Sequence, residues 1–217
     1  MIMDRTGVKL PSPSMPPTTL RRSRSFHCFS PRRDAMQGMR RLGLTGAPGS
    51  GKTTIAEVLR EGGFDILTVE SLASENECID AEDPRDGARP IDIVKLKTIL
   101  VEAWADPPKK MTIVDGHLSH LLPVGGVIVL RCNPEILRDR LVSRDYSDSK
   151  VDSNVEWEFI GGAWNEYNPN IPWTEFETSK NSPVSIVGLI RSWISDGFKH
   201  DAPDTTIDWI ERGTCDV

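Results

Sequence analysis

Residues Gly46 to Thr53 read Gly-Ala-Pro-Gly-Ser-Gly-Lys-Thr and match G-x-x-x-x-G-K-[ST] at every fixed position. The chemistry this spacing serves is the holding of phosphate groups. Gly46, Gly49 and Gly51 let the main chain around Ser50 turn its N–H groups toward phosphate oxygens. A helix starting at the same place adds partial positive charge. Lys52 is placed to reach the outer two phosphates of a triphosphate, and the Thr53 hydroxyl to bind Mg²⁺. The flanks suit the motif: the apolar stretch Arg41-Leu42-Gly43-Leu44-Thr45 leads in as a strand. A helix with Ile55, Val58 and Leu59 on one face leads out and stops at Gly62-Gly63.

Two further groups could join that chemistry. Asp115 ends the apolar run Met111-Thr-Ile-Val-Asp115, where an acid can hold Mg²⁺, usually through water, and His117 lies two residues beyond. Arg131, Arg138, Arg140 and Arg144 follow within fourteen residues. The polar excursion Ser143 to Ser153, with Arg144 and Lys150, has the character of a lid closing over phosphates. Phosphoryl transfer needs positioning, charge neutralisation and exclusion of water, and these parts address each need.

The elements that must carry these residues alternate. Ile66 to Val69 is a second strand, and residues 71–90 are polar and read as a loop or a loop with short helices. Ile93, Leu96, Leu100 and Trp104 mark a helix stopped by Pro107-Pro108. Met111 to Asp115 and Gly126 to Arg131 are continuously apolar, as strands buried on both faces of a parallel sheet are. Asn133 caps a helix with Pro134 in its first turn and Leu137 and Leu141 turned inward. Val155 to Tyr167 is helical with a weak point at Gly161-Gly162, Trp173 to Phe176 is a last strand, and Val187, Ile190, Trp193 and Ile194 mark a final helix. Strands alternating with helices give an α/β fold.

Composition limits the alternatives. The chain has 217 residues, enough for one α/β domain, with 38% hydrophobic and 27% charged residues. Cys28, Cys78, Cys132 and Cys215 stand far apart without a C-x-x-C, which excludes a zinc ribbon and points to a reducing, cytoplasmic setting. The longest apolar run is too short to cross a bilayer. The net charge of −6 conceals an asymmetry: residues 1–41 carry +7 and the remainder −13. Residues 1–38, rich in Pro, Ser and Arg, are expected to be a disordered basic extension. An organellar transit peptide, an RNA-binding arm and an extension without function are all compatible with it. Residues 39–217 form the expected domain.

With these residues placed, the sequence resembles a known family. Gly46 to Thr54 (GAPGSGKTT), Val114 to Leu121 (VDGHLSHL), Val127 to Cys132, and Leu137 to Lys150 with its Arg144-Asp-Tyr146-Ser-Asp-Ser-Lys150 lid are similar to the archaeal-type adenylate kinases. The small nuclear adenylate kinases of eukaryotes, which also act in small ribosomal subunit maturation, belong with them. The likeness covers roughly Met39 to Ile194. It implies a three-layer α/β/α kinase with a five-stranded parallel sheet in the order 2-3-1-4-5. It implies ATP bound by Gly46, Gly49, Ser50, Gly51, Lys52, Thr53 and Thr54, with Mg²⁺ at Thr53 and Asp115. Lys52, Asp115, His117 and Arg144 would be catalytic, Arg144 from the lid at 143–153, and residues 70–93 would bind the monophosphate. That last segment is acid-rich (Glu70, Glu75, Glu77, Asp80, Glu82, Asp83), so an AMP dianion there needs Arg85 or Arg89 turned inward. The lid also carries Asp145 where many relatives have glycine.

Three functions follow as expectations. The first is a nucleoside monophosphate kinase, ATP and AMP giving two ADP, with ATPase activity beside it. The second is an ATPase assembly factor in small ribosomal subunit maturation, working on a ribosomal protein or rRNA. The third, a kinase for a sugar or a shikimate-like acid, fits the Asp-x-His and lid elements less well.

Overall fold

In the computed structural model, residues 39–82, 89–199 and 206–214 are described; the expected extension 1–38 and Arg85 lie outside them. Five strands appear: β1 (Arg41–Thr45), β2 (Asp65–Thr68), β3 (Thr112–Asp115), β4 (Gly126–Arg131) and β5 (Trp173–Glu177). They form one sheet in the order β2-β3-β1-β4-β5, with every pair parallel. This is the order the resemblance implies. β3 and β4 leave β1 on opposite sides, so the chain switches direction across β1, and the C-terminal edge of β1 opens a crevice there. The glycine-rich loop occupies that edge.

Strand alternation divides the core into two layers. Leu42, Leu44, Ile113, Ile128 and Leu130 point to one face, under α1 (Lys52–Glu61) and α6 (Pro183–Ser195), which add Ile55, Leu59, Ile186 and Ile190. Val114, Val127, Val129 and Trp173 point to the other. There they meet Leu72 of α2 (Val69–Glu75) and Leu96 and Leu100 of α3 (Ile93–Ala103). Each fully buried Leu or Ile stabilises the fold by about 2 kcal/mol, so the register is strongly fixed.

The connection from β3 to β4 is short. It crosses β1 with only a 3-10 turn, Ser119–Leu121, in place of a helix. Such a path must run close to the strand beneath it. Gly43 allows this: a Cβ there would lie 3.1 Å from the Ser119 carbonyl oxygen.

Helix α4 (Pro134–Val142) starts as expected, with the Asn133 side chain accepting from the Glu135 N–H at 2.9 Å and Leu137 and Leu141 buried. Two expectations need correction. The helix expected from Val155 begins earlier, inside the polar excursion 143–153, as α5 (Asp148–Phe159). The non-helical Ser147, an acid in the first turn and Val151 packed with Leu137 and Leu141 start that helix seven residues earlier than Val155. The irregular part shrinks to Ser143–Ser147, where Asp145 takes φ 56°, the left-handed conformation that glycine adopts without cost. At the other end, α5 stops at Phe159. Gly161 turns left-handed, and a 3-10 helix runs from Gly162 to Glu166.

Arg131 is the second correction. It does not join the phosphate-facing arginines. Its side chain is 2% exposed, and its guanidinium donates to Glu158 at 2.7 Å and Glu175 at 3.1 Å. Burial pushes the Glu158 carboxyl upward, and the Arg131 charge opposes that push. The Trp209 indole donates to the same Glu158 at 2.9 Å, tying α7 (Trp209–Thr214) to α5. No described helix is long and apolar enough to cross a membrane.

Candidate active site

The loop after β1 closes on itself through a side chain. Lys52 bends back from the first position of α1, and its ammonium donates to the carbonyls of Gly46 and Ala47, both at 2.9 Å. Gly46 has φ 135°, and a Cβ there would sit 2.3 Å from the Leu130 carbonyl oxygen, so only glycine permits this turn beside β4. Burial lowers the Lys52 pKa to about 8, while the charges of Asp115 and Glu158 pull it upward.

Asp115 ends β3, next to Leu44 of β1 in register. Its Oδ1 is buried and has no hydrogen-bond partner in the protein. Burial raises its pKa, and the charges of Lys52 and Arg60 lower it. A buried, unpaired carboxylate oxygen near an ammonium is costly unless a cation or donor is supplied. Thr53, exposed on the first turn of α1, offers a hydroxyl. Among the described residues, no group of three or more His, Cys, Asp or Glu could share a metal ion, so a transition-metal centre is not built here. An oxygen-only set of Thr53, Asp115 and phosphate oxygens suits a hard cation such as Mg²⁺, which keeps much of its water.

His117 lies at the rim, exposed, with its imidazole pushed below the usual range by partial loss of water and by the nearby Lys52 charge. Arg144 is exposed on the loop after α4. With Gly49, Gly51, Thr54, Arg140 and Asn181 it lines a cleft of about 330 Å³, large enough for a small ligand. The structure therefore gathers Gly46, Gly49, Ser50, Gly51, Lys52, Thr53, Thr54, Asp115, His117 and Arg144 around one edge of the sheet. Arg138 stands apart, paired with Asp152 in solvent at 2.7 Å. The acid-rich segment from α2 onward remains exposed at Glu70, Glu75, Glu77, Asp80 and Glu82. Arg89 is exposed too, and Lys95 is occupied by the Glu77 carbonyl at 2.7 Å.

Several braces of this loop carry no motif. Thr178, after β5, donates its hydroxyl to the Ser50 carbonyl at 2.8 Å, and Arg140 of α4 donates to the Gly49 carbonyl at 3.2 Å. Thr45 donates its hydroxyl to the His117 carbonyl at 2.8 Å and touches His120. Only Gly43, a glycine inside an apolar strand, signals in the sequence that another segment comes close.

The family described as "AAA domain" matches residues 42–161. Three archaeal proteins named "Putative adenylate kinase" are similar. The one from Archaeoglobus fulgidus is 44% identical over 119 residues, 55% of this chain and 61% of that protein. The one from Pyrococcus abyssi is 35% identical over 78% of this chain and 91% of its own length. The one from Methanocaldococcus jannaschii is 33% identical over 79% and 94%. Among solved structures, shikimate kinase from Acinetobacter baumannii in complex with shikimate superposes with a TM-score of 0.52 at 16% identity, over 75% of this chain and 97% of that one, a likeness of fold alone. Sequence likeness running along more than nine tenths of two archaeal proteins, on a phosphate-loop edge built as above, makes this chain a member of their family, the P-loop kinases of the nucleoside monophosphate kinase type.

Proposed function

We propose that the protein transfers the terminal phosphoryl group of ATP to AMP, giving two ADP. The observation that carries the reading is the Lys52 ammonium folded into the loop on two carbonyls, near an Asp115 oxygen without a partner. Both groups wait in a form that a triphosphate with its cation would satisfy. On binding, the Lys52 ammonium exchanges the Gly46 and Ala47 carbonyls for phosphate oxygens, and the added negative charge holds it protonated. Thr53 and Asp115 hold Mg²⁺, which when bound supplies positive charge against the phosphate oxygens. The ATP base and ribose take the cleft between Thr54, Arg140 and Asn181. Arg144 closes over the phosphates from the short loop between α4 and α5, excluding water. An acceptor phosphate oxygen attacks in line as the bond from the γ-phosphorus to its bridging oxygen breaks. The names of the archaeal relatives support AMP as the acceptor.

A second reading has one observation in its favour. The segment expected to bind the monophosphate exposes six carboxylates among its described residues, Glu70, Glu75, Glu77, Asp80, Glu82 and Asp92, against one exposed arginine, Arg89. A phosphate dianion is repelled there, whereas water is not. His117 beside Asp115 could then orient water, making ATP hydrolysis the main reaction. The ribosomal role expected from the sequence rests on resemblance alone. Incubating the full chain with Mg²⁺ and ATP, with and without AMP, separates the readings. ADP without free phosphate, formed only when AMP is present, supports the kinase. Phosphate released at the same rate without AMP supports hydrolysis and refutes AMP as the main acceptor.

A further inference from the structure

The β3–β4 connection carries a histidine that no motif assigns. His120 sits in the 3-10 turn, 6% exposed, with its ring edge-on to Trp173 at 6.0 Å. Both ring nitrogens are engaged. Nδ1 lies 2.9 Å from Thr45 Oγ1, and Nε2 lies 2.7 Å from Glu166 Oε2. Thr45 is the last residue of β1, and its hydroxyl donates to the His117 carbonyl at 2.8 Å.

Counting protons gives this chain a direction. A threonine hydroxyl has one proton, and the His117 carbonyl can only accept it. The Thr45 oxygen must therefore accept from His120, which puts a proton on Nδ1. On the other side of the ring, Nε2 and Glu166 Oε2 form the next bond of the chain at 2.7 Å. The sequence of bonds then reads Glu166, His120, Thr45, His117 carbonyl. It starts at a carboxylate half in solvent and ends on the main chain of the Asp115–Gly116–His117 turn.

We propose that His120 is a positioning residue for phosphoryl transfer, fixing through Thr45 the place of His117 and Asp115 against the phosphate loop. The connection crossing β1 is held within itself only by short-range turn bonds, the N–H groups of Ser119, Leu121, Leu122 and Val124 donating to the carbonyls of Gly116, Leu118, Ser119 and Leu122 at 2.7 to 3.2 Å. The side-chain chain supplies the fastening that a helix would have given. It also joins two parts of the site that lie far apart in sequence. Glu166 ends the 3-10 helix that follows α5, and α5 begins at the loop carrying Arg144. The Glu166–His120 bond thus connects the helix that follows that loop to the His117 turn. A buried aromatic that merely filled space would need neither bond.

This inference rests on the phosphoryl-transfer reading, and its test separates the two. Asparagine at 120 keeps an N–H near the Nδ1 position, glutamine keeps one near Nε2, and phenylalanine keeps only the volume. His120→Phe and Thr45→Val are each expected to lower kcat by about tenfold or more, with KM for ATP within about twofold, because orientation rather than binding is lost. The double variant is expected to be no worse than either alone. His120→Asn recovers most of the turnover, and His120→Gln does not. Packing alone gives the reverse order, with His120→Phe nearest wild type, and that order overturns the proposal. Should His120→Phe fail to fold, as circular dichroism would show, the near-isosteric Thr45→Val decides. Imidazole ¹⁵N shifts of the labelled full chain report the same point without turnover: a protonated Nδ1 on His120 is expected, and a bare Nδ1 refutes the chain. If wild type forms no ADP or phosphate, the functional reading fails while the ¹⁵N result still decides the relay. If wild type turns over and Thr45→Val matches it, the relay alone fails.

Discussion

Replacing Lys52 with methionine tests the site through both stability and turnover. Burial depresses the Lys52 pKa from 10.5 to about 8 in the folded chain. A base whose folded value is lowered is destabilising while protonated. Below pH 8 both folded and unfolded chains hold the proton, and the full penalty is present. Between pH 8 and 10.5 the unfolded chain binds more protons, so stability climbs; above 10.5 the penalty is gone. At about 1.4 kcal/mol per pH unit, the recovery across that window is on the order of 3 kcal/mol. Methionine fills similar space without a charge and has no such slope. The difference in unfolding free energy between wild type and Lys52→Met should therefore move by about 3 kcal/mol in favour of wild type between pH 8 and 10.5. The lost bonds to the Gly46 and Ala47 carbonyls set the offset between the curves, and other titrating groups cancel. Urea unfolding of both proteins at closely spaced pH values measures this. ADP formation at pH 7 should fall by about a hundredfold to a thousandfold in Lys52→Met, as when one donor to a developing charge is removed. Parallel stability curves would show that Lys52 is not buried as a strained ammonium. Retained turnover would remove it from the reaction altogether.

Other outcomes follow from the same geometry. Asp115→Asn should lower Mg²⁺-dependent turnover by about a hundredfold while raising the thermal midpoint of the ligand-free protein, since burial disfavours the carboxylate; an unchanged kcat counts against Asp115 as a cation ligand. Arg144→Ala should raise KM for ATP or lower kcat by about tenfold. Because its side chain is exposed, unfolding free energy should stay within about 0.5 kcal/mol of wild type by urea denaturation, and a larger loss would mean a structural role. Arg131→Met should destabilise the protein by about 3–5 kcal/mol, because Glu158 is left buried without its counter-charge. Adding Glu158→Leu should return much of that loss, and additive destabilisation in the double variant would refute the pairing argument.

The local parts of this molecule were legible from residue order because their causes are local. A glycine spacing, an Asn133-Pro134 start and runs of β-branched residues each fix backbone torsions or strand burial within a few positions. So the loop, all five strands to within a residue of each end, and the start of α4 are written in the sequence. Resemblance, rather than periodicity, supplied the strand order. What the tertiary structure decided is where charges end up once distant segments meet. Arg131, one of four arginines within fourteen residues, turns into the core because Glu158 and Glu175 arrive from elements 27 and 44 residues away. Helix α5 starts earlier than its residue pattern shows because Val151 finds Leu137 and Leu141. His120 gains meaning only when β1 passes beneath its turn, bringing Thr45 from 75 residues earlier. Sequence patterns report torsion and burial; the partners of a buried polar group depend on chain crossings that no short window contains.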